Sequence, residues 1–304
     1  MPCESRLKRI LAVLYNWIIA ARVKTLPVAM CPVIIGCVMA YKVASLDLVT
    51  ACMTGLCALL IQIGTNLAND YFDYKKGADT QARLGPTRVV SAGLLSEKDV
   101  KRGMVIVFLV AFLFGLVLAV RGGWPIFWIG VISILCGVLY TGGPVSLAYL
   151  GIADVFALLF FGPVSVAGTY YLQTFTITAA VVIAGLAPGM MAMSLLAVNN
   201  IRDVKEDTVS KKKTIAVRFG VKVARFEYVF SMVFASLVPL WLWLHMELNS
   251  GTLWAIGSLI VAQPLIRTVL TQEGRILNRV LGQTSGVLIV YTLAFCLGYL
   301  GYLG

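Results

Sequence analysis

Nine times along its 304 residues the chain runs for about twenty positions with almost no charge, and that recurrence limits the folds open to it. A helical apolar stretch of about 20 residues matches the roughly 30 Å hydrocarbon core of a bilayer. In that medium the backbone N–H and C=O groups must be satisfied within the segment, which an α-helix does alone. The stretches cover roughly residues 17–41, 48–72, 103–121, 124–140, 152–172, 177–200, 223–245, 252–270 and 284–303. Only 13% of the residues are charged, against roughly a quarter in soluble domains. Little is left over for a soluble module. The expectation is an all-α integral membrane protein, one domain over residues 1–304, with about nine transmembrane helices. Arg22, Lys24, Pro27 and Pro32 interrupt the first stretch and predict a bend at its charged end. The basic N-terminus has no short apolar run ending in a small-residue cleavage site, so no cleavable signal peptide is expected.

The positive charges predict orientation. With the N-terminus in the cytosol and the helices alternating, the inside segments carry Arg6, Lys8, Arg9, Arg22, Lys24, the stretches 75–102 and 202–225, and Arg267, Arg275 and Arg279. Lys42 and Arg121 fall outside. The net charge of +11 is then mainly a topology signal toward the inner (cytoplasmic) membrane. A nucleic-acid partner does not fit, because the basic residues border apolar spans.

Composition removes several chemistries. The single histidine, His245, falls at the outer end of a span, so a histidine metal site or a Ser-His-Asp triad lacks material. The 7 cysteines form no Cys-x-x-Cys pair, and no Gly-rich strand-to-helix phosphate loop is present. The 14 acidic residues behave differently. Asn66, Asn69, Asp70 and Asp73 share one helix face at the end of the second stretch, with Asp79 soon after. Asn199, Asn200, Asp203 and Asp207 repeat the arrangement at the end of the sixth. Carboxylates at a helix C-terminus are disfavoured by the dipole and repel one another, so a cation is expected between them. Hard oxygen donors of this kind suit Mg²⁺ shared with phosphate oxygens. The plainer reading pairs the acids with Lys75, Lys76 and Arg202 in a solvated loop.

The stretches "ARVKTLPVAMCPVIIG" (21–36), "NLANDYFDYKKGADTQARLGPTRVV" (66–90), "LYTGGPVSLAYLGIADVFALLFFGPVSVAGTYYLQ" (139–173) and "NNIRDVKEDTVSKKKTIAVRFG" (199–220) resemble the UbiA superfamily of intramembrane aromatic prenyltransferases. Within it, the similarity is greatest to the 1,4-dihydroxy-2-naphthoate branch of menaquinone synthesis. The resemblance implies nine helices around a central cavity capped by the two acidic loops. It also implies Mg²⁺-dependent transfer of a polyprenyl group from its diphosphate to an aromatic hydroxy acid. Three departures stand out. Gly77 holds the place where many members carry a third acid, which instead comes at Asp79, as in the naphthoate branch. Lys211 replaces a usual glycine, so the second loop's backbone is expected to differ locally. Val23 replaces a usual proline, which weakens the case for a bend there.

On this reading Asp70, Asp73, Asp203 and Asp207 hold Mg²⁺ against the diphosphate, and Lys24, Arg83, Arg88 and Lys212 neutralise its remaining oxygens. Tyr140, Tyr149, Phe160, Phe161, Tyr170 and Tyr171 are candidates to face an allylic cation. Asp154 is either an acceptor-site residue or a helix N-terminal acid. Two other readings remain at this level. One is a different acceptor such as 4-hydroxybenzoate. The other is an ion-coupled transporter, whose acids would lie nearer the bilayer midplane.

Overall fold

The computed structural model describes residues 2–44, 46–78, 84–143 and 146–303, with side chains from residue 11 onward. It is all-helical, with no strand among the described residues. Helix α1 (Pro2–Ala21) meets α2 (Pro27–Tyr41) through a one-turn 3₁₀ segment, Val23–Thr25. The two arms are bent by 54°. The bend survives the loss of proline at Val23 because Arg22 takes a left-handed backbone, φ 52°, and Pro27 opens α2 at a position that needs no N–H partner. Asn66 fixes the elbow by donating from Nδ2 to the Ala21 carbonyl at 2.9 Å and to Thr25 Oγ1 at 3.3 Å.

Helix α3 (Leu48–Lys75) is capped by Asp47, whose carboxylate accepts from the Val49 and Thr50 amides. Helix α4 (Glu97–Leu139) has 43 residues, about 65 Å if straight and twice a hydrocarbon core. It is not straight. Gly123 has φ 71° and ψ −164°, a conformation open to glycine, and Pro125 follows. The arms fold back on each other: a Cβ added at Gly137 would lie 3.3 Å from the Phe108 ring.

The chain continues through α5 (Leu147–Leu150), α6 (Ala153–Leu159) and α7 (Ser165–Thr174), the last two joined by a π-turn at Phe160–Val164. Then come α8 (Ala179–Arg202), α9 (Val204–Val209), α10 (Ile215–Phe219), α11 (Val221–Met246), α12 (Ser258–Thr271) and α13 (Leu277–Leu300). Among the described residues 7 helices are long and apolar enough to cross a membrane, or 8 with the bent first pair, so the protein is a multi-pass membrane protein.

Helix α8 is the axis, with 72% of its most apolar window buried inside the protein. Where it meets the α6–α7 segment, glycines bring the backbones together: a Cβ on Gly185 would sit 2.6 Å from Pro163 Cα, and one on Gly162 2.6 Å from the Gly185 carbonyl. Gly185→Val should therefore force the helices apart and cost about 1–3 kcal/mol. Thermal unfolding in detergent would show a lower midpoint, and an unchanged one would contradict this packing.

Lys42 and Arg121 both stand at the end opposite the acidic loops. Lys42 Nζ lies 4.8 Å from the centre of the Tyr299 ring, near the last turn of α13. Arg121 Nη1 pairs with Asp47 at 2.8 Å and its Nε donates to the Leu172 carbonyl.

Candidate active site

The acidic end of α3 and the α8–α9 junction line one cavity of about 370 Å³. Asn66, Asn69 and Asp73 enter its wall from α3, and Asn199, Asn200, Asp203 and Asp207 from α8 and α9. The second group does not ride on one continuous helix as the spacing suggested. Helix α8 ends at Arg202, Asp203 adopts φ −98° and ψ 10°, and α9 restarts at Val204. The interruption is confined to Asp203, whose amide still bonds the Asn199 carbonyl, and all four residues reach the cavity. Deeper, the walls are apolar, with Leu118, Ile126, Ile129, Phe160 and Leu172 extending toward the opposite end of the bundle.

The acids are met by cations: those of the first cluster by residues distant in sequence, Asp203 of the second by its neighbour Arg202. Asp70 is 1% exposed and is absent from the cavity wall. Its Oδ1 accepts from Arg22 Nη2 at 2.7 Å and Arg88 Nη1 at 2.8 Å, and its Oδ2 from the Val89 amide at 3.0 Å. Arg88 donates its other terminal nitrogen to Asp73 Oδ2 at 2.7 Å, so one guanidinium bridges both acids. Lys212 reaches from the second loop to Asp73, with Nζ 3.2 Å from Oδ1. Asp203 receives a two-point contact from Arg202, at 2.7 and 2.6 Å, while Arg202 also donates to Asn278. Lys75 instead pairs with Glu97 at 3.3 Å, away from the acids.

Two further bonds carry the first loop over to the second motif: the Leu84 amide donates to Glu206 Oε1 at 3.0 Å, and Asn278 Nδ2 donates to the Leu84 carbonyl at 2.7 Å. Lys211 has φ 60°, so the second loop keeps a glycine-type backbone where a local difference was expected. A left-handed non-glycine residue costs about 1–2 kcal/mol. Lys211→Gly should therefore raise the thermal midpoint in detergent, and a lowered midpoint would contradict the assignment.

The remaining candidates divide. Tyr140, Phe160 and Phe161 line the cavity, whereas Tyr149, Tyr170 and Tyr171 do not. Lys24 is exposed and outside the wall, and Arg22 occupies the place expected of it. Asp154 is 4% exposed in the first turn of α6, behind the wall formed by Ala153, Phe156 and Ala157. Asp79 and Arg83 lie outside the described residues. Arg22, Gln62, Phe156 and Glu206 join the wall, although the sequence did not mark them as site residues. For Arg22 the signal was its position at the end of the α1 pattern, one helical element from Asn66.

Among the described residues no three His, Cys, Asp or Glu side chains stand close enough to hold a metal ion by themselves. A Mg²⁺ shared with phosphate needs only one or two carboxylates, the rest of its shell being water and phosphate oxygen. Asp73 fits that requirement: its buried Oδ1 faces the Lys212 ammonium at 3.2 Å but accepts no hydrogen bond, and Asp203 and Asp207 line the same cavity. The donor set is hard oxygen throughout, so these residues fit the ion.

A sequence profile described as the UbiA prenyltransferase family matches residues 29–275. The chain is 30% identical over 297 residues to the 1,4-dihydroxy-2-naphthoate octaprenyltransferase of Haemophilus influenzae, covering 93% of this chain and 95% of that one. It is 35% identical to the enzyme of the same name from Escherichia coli, covering 83% and 82%. In structure it is similar to an apo UbiA homolog from Aeropyrum pernix, with TM-score 0.70, 12% identity, and 90% and 97% of the two chains covered. It is also similar to a UbiA homolog from Archaeoglobus fulgidus bound to GPP and Mg²⁺, with TM-score 0.66, 14% identity, and 92% and 99% covered. A bundle with its acids and cations at one end of a long apolar cavity, matched along most of its length, belongs to the UbiA prenyltransferase family.

Proposed function

We propose that the protein transfers a polyprenyl group from polyprenyl diphosphate to 1,4-dihydroxy-2-naphthoate, releasing pyrophosphate and CO₂ and building the demethylmenaquinone skeleton. The observation that carries this reading is the shape and polarity of one cavity. Arg88, Lys212, Asp73, Asp203 and Asp207 meet at its mouth, and its depth is lined by Leu118, Ile126 and Leu172. A diphosphate joined to an isoprenoid chain has that same division of charge and apolar length. Relatives named for naphthoate octaprenyl transfer cover more than four-fifths of the chain, which supports the acceptor.

Asp73, Asp203 and Asp207 would hold Mg²⁺, with Asn66, Asn69, Asn199 and Asn200 orienting them or adding carbonyl oxygens. When bound, the ion supplies positive charge to the diphosphate oxygens. The chain's own part begins with Arg88 and Lys212, which neutralise charge on the leaving pyrophosphate. Asp70 holds Arg22 and Arg88 in place. The apolar depth of the cavity shields the allylic cation from water, and Phe160, Phe161 and Tyr140 in its wall are the aromatic groups available to stabilise that charge. The acceptor ring, made electron-rich by its hydroxyls, attacks at the carbon bearing the carboxylate. A C–C bond forms, the donor C–O bond breaks, and loss of CO₂ restores aromaticity.

The whole chain acts as one membrane domain of nine spans, because α4 doubles back at Gly123 and counts as two. The site end faces the cytosol, since the acidic-loop end carries the basic residues and the opposite end carries Lys42 and Arg121. Cysteines introduced at Ser91 or Thr208 should react with an impermeant maleimide only in inverted membranes; labelling of intact cells would contradict the orientation. For the activity, purified protein with Mg²⁺, a polyprenyl diphosphate and either 1,4-dihydroxy-2-naphthoate or 4-hydroxybenzoate should condense only the naphthoate. Products with 4-hydroxybenzoate alone would move the acceptor, and no condensation with either would favour a transporter.

A further inference from the structure

Lys76 takes no part in the chemistry above, yet its ammonium is turned onto the protein. It follows the last residue of α3, Lys75, one turn beyond Asp73. Its Nζ donates to the Thr141 carbonyl at 2.6 Å and lies 3.4 Å from both the Gly143 carbonyl and Ser146 Oγ. The same nitrogen stands 4.4 Å from the centre of the Tyr149 ring. Two of these partners are buried, Thr141 at 2% and Ser146 at 1% exposure. A lysine that serves solubility extends into water. This one draws together both ends of the segment between α4 and α5.

The contacts continue into the site. Thr141 Oγ1 donates to Asn69 Oδ1 at 2.9 Å, and both residues line the cavity beside Tyr140. Lys212, which pairs with Asp73, lies 5.9 Å from the other partner of Lys76, the Tyr149 ring. Asp73, Lys212, Tyr149, Lys76, Thr141 and Asn69 thus form a closed circuit that begins and ends on α3. Lys76 is exposed as a residue, so these contacts are made by the tip of its side chain.

We propose that Lys76 is a positioning residue, a strap that fastens the wall carrying Tyr140 and Thr141 to the acid-bearing end of α3. With the strap in place the acceptor ring, and not water, meets the donor carbon. Without it, the wall loosens and hydrolysis competes: the donor C–O bond breaks, water oxygen bonds to that carbon, and the water's proton leaves to pyrophosphate or solvent. This inference rests on the prenyl-transfer reading above.

The test is the number of pyrophosphates released per prenylated product, with full-length protein in nanodiscs, Mg²⁺, geranylgeranyl diphosphate and 1,4-dihydroxy-2-naphthoate. Wild type should give a ratio of one. Lys76→Met should raise the ratio severalfold and the acceptor KM about tenfold, the equivalent of one lost charge-assisted hydrogen bond. Lys76→Arg, which keeps donors and a cation over Tyr149, should return the ratio close to one. If Lys76→Met does not fold, Tyr149→Leu removes one side of the strap and should shift the ratio in the same direction. A purely structural role would lower all rates together and leave the ratio at one, which overturns the proposal. A wild type that makes no prenylated product overturns the underlying reading instead.

Discussion

Asp70→Asn and Asp203→Ala are each expected to lower turnover by about a hundredfold or more while the protein still inserts and folds, the scale seen when one preorganised charge-stabilising group is lost. A chelator should abolish activity and added Mg²⁺ restore it. The two variants act by different routes. Asp70 accepts from Arg22, Arg88 and the Val89 amide, so an amide there loses the charge that holds two guanidinium groups beside the diphosphate position. Asp203 lines the cavity and accepts two hydrogen bonds from Arg202. Steady-state turnover over a range of Mg²⁺ concentrations separates the routes: Asp203→Ala should need more Mg²⁺, whereas Asp70→Asn should stay slow at saturating Mg²⁺. Undiminished turnover in either variant would remove the two-cluster account.

Arg88→Met should be more damaging to the fold. The arginine is 7% exposed and its two terminal nitrogens serve two different buried carboxylates. Removing one partner of a buried pair costs about 3–5 kcal/mol, because the remaining charge stays desolvated. Part of that cost is offset here, since Asp70 keeps Arg22 and Asp73 keeps Lys212. Thermal unfolding in detergent should show a clear drop, and turnover should fall by orders of magnitude. Arg88→Lys should recover stability only in part, because an ammonium lacks the planar fork that spans both acids. A lysine variant equal to wild type in both measurements would contradict the bridging role.

Much of this arrangement is legible in the sequence. The spans were readable because a bilayer imposes length and apolarity on each of them separately. The reversal inside Glu97–Leu139 was readable too, as the gap between the apolar runs 103–121 and 124–140, where Gly123 breaks the helix. The acid clusters were readable because carboxylates at membrane depth are rare enough to carry information. Side-chain direction was the part that composition and spacing did not encode. A basic residue near a span end looks like a topology charge whether it points to water or inward. Arg22 enters the site and Lys24 does not, and that outcome turns on the left-handed backbone at Arg22 itself. The break between α8 and α9 falls in "IRDVKED", which has no glycine or proline to announce it. The pairing of Asp73 with Lys212, 139 residues away, depends on tertiary placement that no local pattern contains.

The proposed reaction is decarboxylative prenylation of a naphthoate ring. Its most direct test supplies 1,4-dihydroxy-2-naphthoate labelled at the carboxyl carbon, with Mg²⁺ and a polyprenyl diphosphate, to the purified protein. The label should appear as CO₂ in step with the prenylated product, one for one. Label retained in the prenylated product would contradict the account, even with the prenyl group transferred.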